Sequence, residues 1–194
     1  EVIDGIVQPS YIDMTLQLMR IFGAEVTRNE TLTTLHVAPT RYHGCSTSLE
    51  ADASTACYFL AHAALSGGEV TIENLSYSTQ QPDIKMLDIL ERMGCAIDRR
   101  GHSVSLRGTH GPLQGGFTVS MREMSDQAVT LAMVAAFANA PVTITEVAHI
   151  RHHECDRIHA ACQLLTQIGV AVSEHDDGLT IDPTTPPARD LGGR

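Results

Sequence analysis

The chain has 194 residues, 43% of them hydrophobic, and a formal net charge of −10 at pH 7. This composition allows a substantial apolar core, and it excludes nucleic-acid binding as a main role because that role needs a basic surface. No run approaches the roughly 18 apolar residues of a membrane-spanning helix, and the acidic first residues lack the basic start of a secretory signal, so we expect no membrane association. Five cysteines without a CxxC spacing indicate reduced thiols and a cytoplasmic protein.

The first predicted elements form half of a repeated pattern. Residues 11–27 (YIDMTLQLMRIFGAEVT) predict an amphipathic helix that ends at a glycine and leads into a strand. The next segment, residues 38–48 (APTRYHGCSTS), is rich in proline, glycine and small polar residues. This composition predicts a linker between the half-pattern and the rest of the chain.

Two fuller copies of the pattern follow. Residues 52–75 and 126–147 each start with an aspartate and predict a buried helix followed by a strand. Residues 83–98 and 156–173 each predict a second helix, a closing glycine and a strand. With the neighbouring strands, each copy is predicted to be a βαβαββ unit. The fold class is therefore predicted to be α/β (α+β), with about two and a half repeated units that stack to bury their apolar faces.

The last unit predicts the clearest boundaries. We expect strands over residues 117–120, 142–147, 170–172 and 179–181, and helices over residues 126–138 and from about 155 to 168. Ser125 is the expected N-cap of the first of these helices. Core positions are expected on the second helix at Ile158, Ala161, Leu165 and Ile168, and in the preceding unit over residues 60–65.

Asp126 is the first candidate catalytic residue. It stands at the start of a predicted helix, where the helix dipole favours an ionised carboxylate that is ready to take up a proton. The alternative is an ordinary first-turn aspartate that only stabilises the helix. The local sequence leaves both interpretations open.

The densest polar cluster lies over residues 149–157 (HIRHHECDR), between a predicted strand and a predicted helix. Backbone N–H groups at a helix start favour an anion, and Glu154 and Arg157 would present a proton donor and a phosphate-binding fork on one face. A solvated, charged helix start is one alternative. A metal site is another, since Cys155 and His159 are four residues apart, but no HExxH or CxxC motif accompanies them.

Several segments, in order, resemble the 5-enolpyruvylshikimate-3-phosphate synthase (3-phosphoshikimate 1-carboxyvinyltransferase) family. They are YIDMTLQLM, EADASTACYFLAHAALSGGEVTI, STQQPD, MREMSDQAVTLAMVAAFANAP and IRHHECDRIHA, and the resemblance extends to about Pro183. It implies transfer of the enolpyruvyl group of phosphoenolpyruvate to the 5-hydroxyl of shikimate 3-phosphate, with release of phosphate, in the shikimate pathway of aromatic amino acid biosynthesis. It implies no cofactor and no metal.

The resemblance also implies an architecture. Members of the family form an inside-out α/β barrel of two domains, each with three βαβαββ units, and the active site lies in the cleft between the domains. Residues 1–47 are expected to be the closing half-unit of one domain, and residues 48–194 two units of the other. The N-terminal and C-terminal parts of the family pattern, which carry further cationic residues, have no counterpart in the sequence. We therefore expect this chain alone to be inactive.

The same resemblance assigns roles to individual residues. Asp126 matches the aspartate that accepts the proton of the shikimate 5-hydroxyl, and Glu154 matches the glutamate that manages the proton at the enolpyruvyl methylene. Arg157 matches an arginine that holds phosphoenolpyruvate. Tyr11 matches a tyrosine that lines the shikimate 3-phosphate side.

Four positions depart from the family pattern. His153 stands where many members have lysine, His149 where many have asparagine, and Gln8 where a phosphate-contacting serine is common. These three side chains are still expected to bind substrate, although the charge of a histidine varies near neutral pH and that of a lysine normally does not. Pro82 replaces the glycine of a QGD motif.

Two other functions compete with this one. The related transferase that acts on UDP-N-acetylglucosamine shares the fold and the chemistry, but the ECDR and YIDMTL segments favour shikimate 3-phosphate. The other alternative is a non-catalytic structural fragment, which the missing cationic residues favour. In either case, exposed faces of an open stack of units would favour a homodimer of the chain.

Overall fold

The predicted repeat organises the structure, a computed structural model that describes residues 6–184. The helices are α1 (Pro9–Ile21), α2 (Ala53–Ser66), α3 (Met86–Arg92), α4 (Ala128–Ala135) and α5 (Arg157–Gln167). The strands are β1 (Val26–Arg28), β2 (Leu35–Val37), β3 (Glu69–Glu73), β4 (Ala96–Asp98), β5 (Ser103–Arg107), β6 (Phe117–Ser120), β7 (Val142–Thr145), β8 (Ala171–His175) and β9 (Gly178–Asp182). Short 3-10 turns cover Pro82–Lys85, Arg122–Gln127 and Ala148–His152.

The last unit is a complete βαβαββ unit, as predicted. Its sheet has the order β6-β7-β9-β8, in which β6 and β7 are parallel and the other pairs are antiparallel. The parallel pair places the carboxyl ends of β6 and β7 at the same edge. The two polar turns Arg122–Gln127 and Ala148–His152 follow these ends, so they lie side by side.

The preceding unit repeats this order without its first strand. Its sheet is β3-β5-β4, the counterpart of β7-β9-β8. The prediction of an opening strand is wrong here, since residues 38–52 form no strand. This stretch contains proline, glycine and serine residues that disfavour strands, and it is held instead by hydrogen bonds from Ala51 N to Asn74 O (2.8 Å) and from Asn74 Nδ2 to Leu49 O (2.7 Å). The linker predicted over residues 38–48 is confirmed as irregular chain.

A matching glycine follows helices α1, α3 and α5. Gly23, Gly94 and Gly169 each lie two residues beyond the last helical residue and have φ angles of +86°, +102° and +85°. L-residues with a side chain rarely adopt this left-handed conformation. The shared turn leads each helix directly into the next strand, as the sequence predicted.

The main core lies between helices α2 to α5 and the two larger sheets, whereas the half-unit has a small core of its own. Side chains that are completely buried in the main core include Leu60, Leu87, Leu106, Leu131 and Ile144. The small core contains Leu16, Ala24, Val26 and Leu32. Ile158, Ala161 and Leu165 are buried as predicted, but Leu65 and Ile168 are 41% and 42% exposed. Both lie near helix ends, where the chain turns away from the core.

Two predicted helix starts are wrong. Ser125 is not an N-cap, because it lies inside the turn Arg122–Gln127, whose Met124 has non-helical backbone angles, and α4 begins only at Ala128. Helix α5 begins at Arg157 with Asp156 as its N-cap, and the Asp156 carboxylate accepts a hydrogen bond from His159 N at 3.0 Å. Glu154 and Cys155 therefore precede the helix, and Cys155 does not share a helical face with His159.

Candidate active site

The site lies where the start of α1 meets the turns Pro82–Lys85, Arg122–Gln127 and Ala148–His152. Gln8 and Tyr11 belong to the half-unit, and their side chains reach residues of both following units. Gln8 precedes α1 with a φ angle of +57°, a strained conformation for a residue with a side chain. Strain of this kind often occurs at functional sites.

Arg157 connects the two candidate catalytic carboxylates. Its Nη1 donates to Asp126 Oδ1 at 2.8 Å, and its Nε and Nη2 donate to the two Glu154 oxygens at 2.8 and 2.9 Å. These hydrogen bonds lower the pKa of Glu154 to about 2 and raise the pKa of Arg157. A bidentate guanidinium of this kind also matches a phosphate or carboxylate ligand.

A second group joins Gln8, Ser125 and His149. Ser125 is fully buried, and its hydroxyl accepts from Gln8 Nε2 at 2.7 Å and lies 2.7 Å from His149 Nε2. Burial, followed by the nearby His153, lowers the pKa of His149. The two histidine rings meet edge to face with centroids 6.0 Å apart, and His153 is exposed. Together they offer hydrogen-bond donors, and His149 lies close enough to Asp126 for that charge to act on its ring.

A third group contains Tyr11, Asp83 and Ser54. The Tyr11 phenol donates to Asp83 Oδ2 at 2.7 Å, and Ser54 Oγ donates to the same oxygen at 2.9 Å. Burial, and then the hydrogen bond to Asp83, raise the pKa of Tyr11 well above its ordinary value. The phenol therefore remains neutral at any physiological pH.

Arg151 holds the segment that carries Glu154 and Arg157. It donates to Asp156 Oδ2 at 2.7 Å, to Glu174 Oε1 at 2.8 Å and to the backbone carbonyls of Asp176 and His175. These bonds tie the N-cap of α5 to the β8–β9 hairpin. The start of α5, and with it the Arg157 side chain, is therefore fixed relative to the sheet.

A groove of 910 Å³ runs between α2, α4 and α5 and ends at this site. Ser54, Asp126, Glu154 and Arg157 line its polar end, and the rest of the lining is mainly apolar: Tyr58, Ala61, Leu65, Val129, Met133, Val134, Ala160, Ala161 and Leu164. Charged groups therefore face one end of a largely apolar surface.

The structure brings together the residues that the resemblance assigned to the site. Arg157 contacts both Asp126 and Glu154, His149 and Gln8 meet at Ser125, and Tyr11 lies close enough to Asp126 for the charge of that carboxylate to act on the phenol. Within residues 6–184, no group of three or more His, Cys, Asp or Glu side chains is arranged to hold a metal ion.

Asp83 and the contacts of Ser125 were missed in the sequence. Asp83 lies in the STQQPD segment, next to Pro82, which starts a 3-10 turn and is itself buried. The resemblance of this segment to the family could have pointed to Asp83, but not to its partner Tyr11, which is distant in sequence. Ser125 was predicted to be an N-cap because serine is common at that position, and its contacts with Gln8 and His149 were therefore not expected.

Comparison with known proteins identifies the family. The chain matches the family described as EPSP synthase (3-phosphoshikimate 1-carboxyvinyltransferase) over residues 1–191. The chain belongs to the EPSP synthase family. It is 52% identical to the 3-phosphoshikimate 1-carboxyvinyltransferase 2 of Halalkalibacterium halodurans over 94% of this chain and 40% of that protein. It is 40% identical to the 3-phosphoshikimate 1-carboxyvinyltransferase of Trichormus variabilis over 95% of this chain and 43% of that protein.

Solved structures agree on the fold. An EPSP synthase from Acinetobacter baumannii superimposes with a TM-score of 0.70 at 21% identity, over 90% of this chain and 41% of that one. The enolpyruvyl transferase NikO from Streptomyces tendae gives a TM-score of 0.65 at 21% identity, over 93% and 42% of the two chains. The predicted fold class is therefore confirmed, although residues 6–184 form open sheets and no closed barrel. The chain spans about 40% of the length of the curated EPSP synthases it matches.

Proposed function

We propose that this chain forms part of an enzyme that transfers the enolpyruvyl group of phosphoenolpyruvate to the 5-hydroxyl of shikimate 3-phosphate and releases phosphate. The observation that carries the proposal is the pairing of Asp126 and Glu154 through Arg157 in a chain of the EPSP synthase family. One side chain thereby places two carboxylates and a phosphate-binding group within one small site.

The reaction needs a base, an acid and a cation, and the site offers each of them. The 5-hydroxyl oxygen bonds to C2 of phosphoenolpyruvate while its proton passes to Asp126, and C3 takes up a proton from Glu154. The tetrahedral intermediate then loses phosphate by cleavage of the bond between C2 and the phosphate oxygen, and C3 returns its proton to Glu154. The proton on Asp126 leaves with the phosphate.

Arg157 would control when Glu154 can donate a proton and when Asp126 can accept one. In the ligand-free chain it holds both of them, and the pKa of Glu154, about 2, is too low for proton donation near neutral pH. The phosphate of phosphoenolpyruvate would replace the carboxylates on the guanidinium. Loss of that contact raises the pKa of Glu154 and frees Asp126 to accept a proton.

The remaining site residues would bind the acceptor. Gln8, His149 and His153 would bind anionic or hydroxyl groups of shikimate 3-phosphate beside Asp126, and Tyr11 would line the same side. Hydrogen bonds of Gln8 and His149 to the buried Ser125, and of Tyr11 to the buried Asp83, support a preformed acceptor site.

We also propose the domain division at residue 47, with residues 1–47 and 48–194 on opposite sides of the cleft. The irregular segment after β2 and the separate small core of the half-unit support it. The chain alone would not turn over substrate, because Arg157 is the one arginine or lysine among the groove-lining residues of the described site.

A cytoplasmic location completes the proposal. Within residues 6–184 all five cysteines are free thiols, and no helix there is long and apolar enough to cross a membrane. The substrates are small molecules, with no role for nucleic acid.

The decisive experiment measures phosphate release by the full-length protein with phosphoenolpyruvate and either shikimate 3-phosphate or UDP-N-acetylglucosamine. We expect turnover only with shikimate 3-phosphate. Turnover with UDP-N-acetylglucosamine would replace the proposed acceptor, and no turnover with either acceptor would overturn the proposed activity.

The role of Asp126 is tested in the same assay. Asp126→Asn should lower kcat about 10²- to 10⁴-fold, because the amide cannot accept the hydroxyl proton. Asp98→Asn, which alters an exposed carboxylate paired with Arg100, is the matched control and should leave kcat unchanged. Circular dichroism of both variants should match that of the wild type, and wild-type turnover by Asp126→Asn would remove Asp126 from the mechanism.

A further inference from the structure

Arg151 lies beside the candidate catalytic residues but is saturated with protein contacts, and its side chain is only 20% exposed. Its Nη1 donates to Asp156 Oδ2 at 2.7 Å and to Glu174 Oε1 at 2.8 Å. Its Nε and Nη2 donate to two backbone carbonyls where β8 turns into β9, at 3.0 and 2.6 Å. All three guanidinium nitrogens are therefore used within the chain, so Arg151 has a fixed position and is not a fork for a substrate anion.

The ion pair with Asp156 closes residues 151–156 into a short loop, the 151–156 loop. Asp156 is also the N-cap of α5, because its other oxygen, Oδ1, accepts from His159 N at 3.0 Å. Asp156 thus ties the loop to the helix, and Arg151 ties it to the β8–β9 hairpin. Glu154 lies within the loop, two residues before the N-cap.

Glu154 itself has few contacts. Its side chain is 66% exposed, and among residues 6–184 Arg157 is the one other residue that hydrogen-bonds to its carboxylate. The proposed function requires phosphate to occupy the Arg157 guanidinium before Glu154 gives its proton to C3 of phosphoenolpyruvate. From that point the position of the Glu154 carboxylate depends on the backbone of the 151–156 loop.

The preceding unit shows that the fold does not require this ion pair. The corresponding segment, residues 74–81 between β3 and the turn Pro82–Lys85, contains no arginine or lysine. It is fixed instead by the neutral Gln81, whose side chain accepts from Ala53 N at 2.7 Å and donates to Ala51 O at 2.9 Å. The ion-pair closure therefore belongs to the unit that carries Glu154, which favours a role in the reaction over a role in folding.

We propose that Arg151 is a positioning residue for Glu154. By closing the 151–156 loop on Asp156 and anchoring it to the β8–β9 hairpin, Arg151 keeps the Glu154 carboxyl group at C3 of phosphoenolpyruvate after phosphate has occupied Arg157. The inference rests on the proposed function. It adds that proton transfer to C3 depends on a residue that does not contact substrate.

The test measures kcat of the full-length enzyme in H2O and in D2O, at saturating phosphoenolpyruvate and shikimate 3-phosphate. Arg151→Gln should lower kcat about 10- to 100-fold, because a misplacement of about 1 Å can remove this much of the effect of a catalytic group. Proton transfer to C3 then becomes slower than the other steps, so the ratio of kcat in H2O to kcat in D2O should rise. A smaller folded fraction of the enzyme would lower kcat without changing this ratio.

Two further variants show whether Arg151 acts through Glu154. Glu154→Gln alone should lower kcat about 10²- to 10⁴-fold, and adding Arg151→Gln should cause no further loss, because no carboxyl group is left to position. Asp156→Asn weakens the closure from the other end of the loop, while its side-chain oxygen still caps α5. It should raise the same isotope ratio with a smaller loss of kcat.

Arg99→Gln is the matched control. The Arg99 side chain is 25% exposed, and its guanidinium likewise pairs with two carboxylates, those of Asp88 and Glu91, each at 2.8 Å. Both partners lie on α3, in the preceding unit. The substitution therefore removes a similar ion-pair network that does not hold the 151–156 loop, and kcat and the isotope ratio should remain unchanged.

Three results would overturn the inference. They are a further fall in kcat when Arg151→Gln is added to Glu154→Gln, an unchanged isotope ratio in Arg151→Gln, and an equal fall in kcat in Arg99→Gln. If Arg151→Gln does not fold, Asp156→Asn, alone and combined with Glu154→Gln, gives the same decision. Absence of turnover by the wild type would overturn the proposed function as well, whereas wild-type turnover with losses that multiply would overturn only this inference.

Discussion

Arg157 shows how one side chain sets the chemistry of its neighbours. The guanidinium is only partly exposed and contacts two carboxylates, one before its own helix and one from the turn after β6. These carboxylates accept hydrogen bonds from the same guanidinium N–H groups that a phosphate would use. Ligand binding and the protonation of Glu154 should therefore be coupled.

This coupling predicts a pKa change in the chain itself. Arg157→Gln should raise the pKa of Glu154 from about 2 towards its ordinary value of 4.5, because the hydrogen bonds and the charge of the guanidinium are removed. The measurement is a pH titration of the glutamate carboxyl ¹³C signals by NMR. Arg100→Gln, an exposed arginine paired with Asp98, is the control and should leave Glu154 unchanged. An unshifted Glu154 in Arg157→Gln would disprove the coupling.

The lowered pKa of Glu154 also determines how the folding stability of the chain changes with pH. The pKa of Glu154 is lower in the folded chain, so the stabilisation from its pairing with Arg157 is complete above pH 4.5 and is lost as the pH falls towards about 2. His149 also has a lowered pKa, so its contribution is present when it is neutral and is lost as the pH falls below 6.5.

At the residue scale, the sequence predicted that Glu154 and Arg157 would share one face of a helix. The two side chains do meet, but as an ion pair in which Glu154 precedes the helix. Asp83 and Ser125 could not be assigned in this way, because their partners Tyr11, Gln8 and His149 lie in other units. A buried position with a distant partner leaves no local pattern in the sequence.

At the element scale, the repeated helix, glycine and strand were the most predictable feature. A left-handed residue after α1, α3 and α5 is a local requirement, so the glycine at that position predicts it from sequence alone. The missing strand before α2 and the late start of α4 were not predictable from periodicity. Both depend on tertiary contacts, of Ala51 with Asn74 and of Ser125 with Gln8 and His149.

The glycine turn predicts a conformational cost that is independent of packing. A Cβ at Gly94 would meet only Gln114 Cγ at 3.8 Å, so Gly94→Ala has room but retains a φ angle of +102°. We expect a loss of about 1–2 kcal/mol in the free energy of unfolding, measured by urea denaturation. Gly111→Ala, where φ is ordinary and the nearest atom is 3.9 Å away, should have little effect. Equal losses in the two variants would show that the turn does not require glycine.

At the scale of the whole molecule, the groove between α2, α4 and α5 leaves apolar side chains uncovered. Tyr58 and Leu164 on its walls are 62% and 47% exposed. Under the proposed domain division, residues 48–184 supply two units of one domain, and a further unit in a longer protein would cover this surface. In the isolated chain, we expect a second copy of the chain to bind over these apolar side chains.

This exposed surface predicts a homodimer of the isolated chain. Sedimentation velocity should show a dimer, and Leu164→Glu should shift it to a monomer, because a carboxylate would be buried without a partner. Gln163→Glu adds the same charge on the same helix outside the groove and should leave the dimer intact. A monomeric wild type, or equal effects of the two variants, would show that the groove does not drive association.

The central claim is that this chain carries a half-site for shikimate 3-phosphate, and the most direct test is an NMR titration of the chain. We predict saturable shifts confined to Gln8, Tyr11, Asp126 and residues 149–157 with shikimate 3-phosphate, strengthened by phosphoenolpyruvate, and none with UDP-N-acetylglucosamine. Shifts at these residues with UDP-N-acetylglucosamine, or no shifts with either acceptor, would contradict the claim.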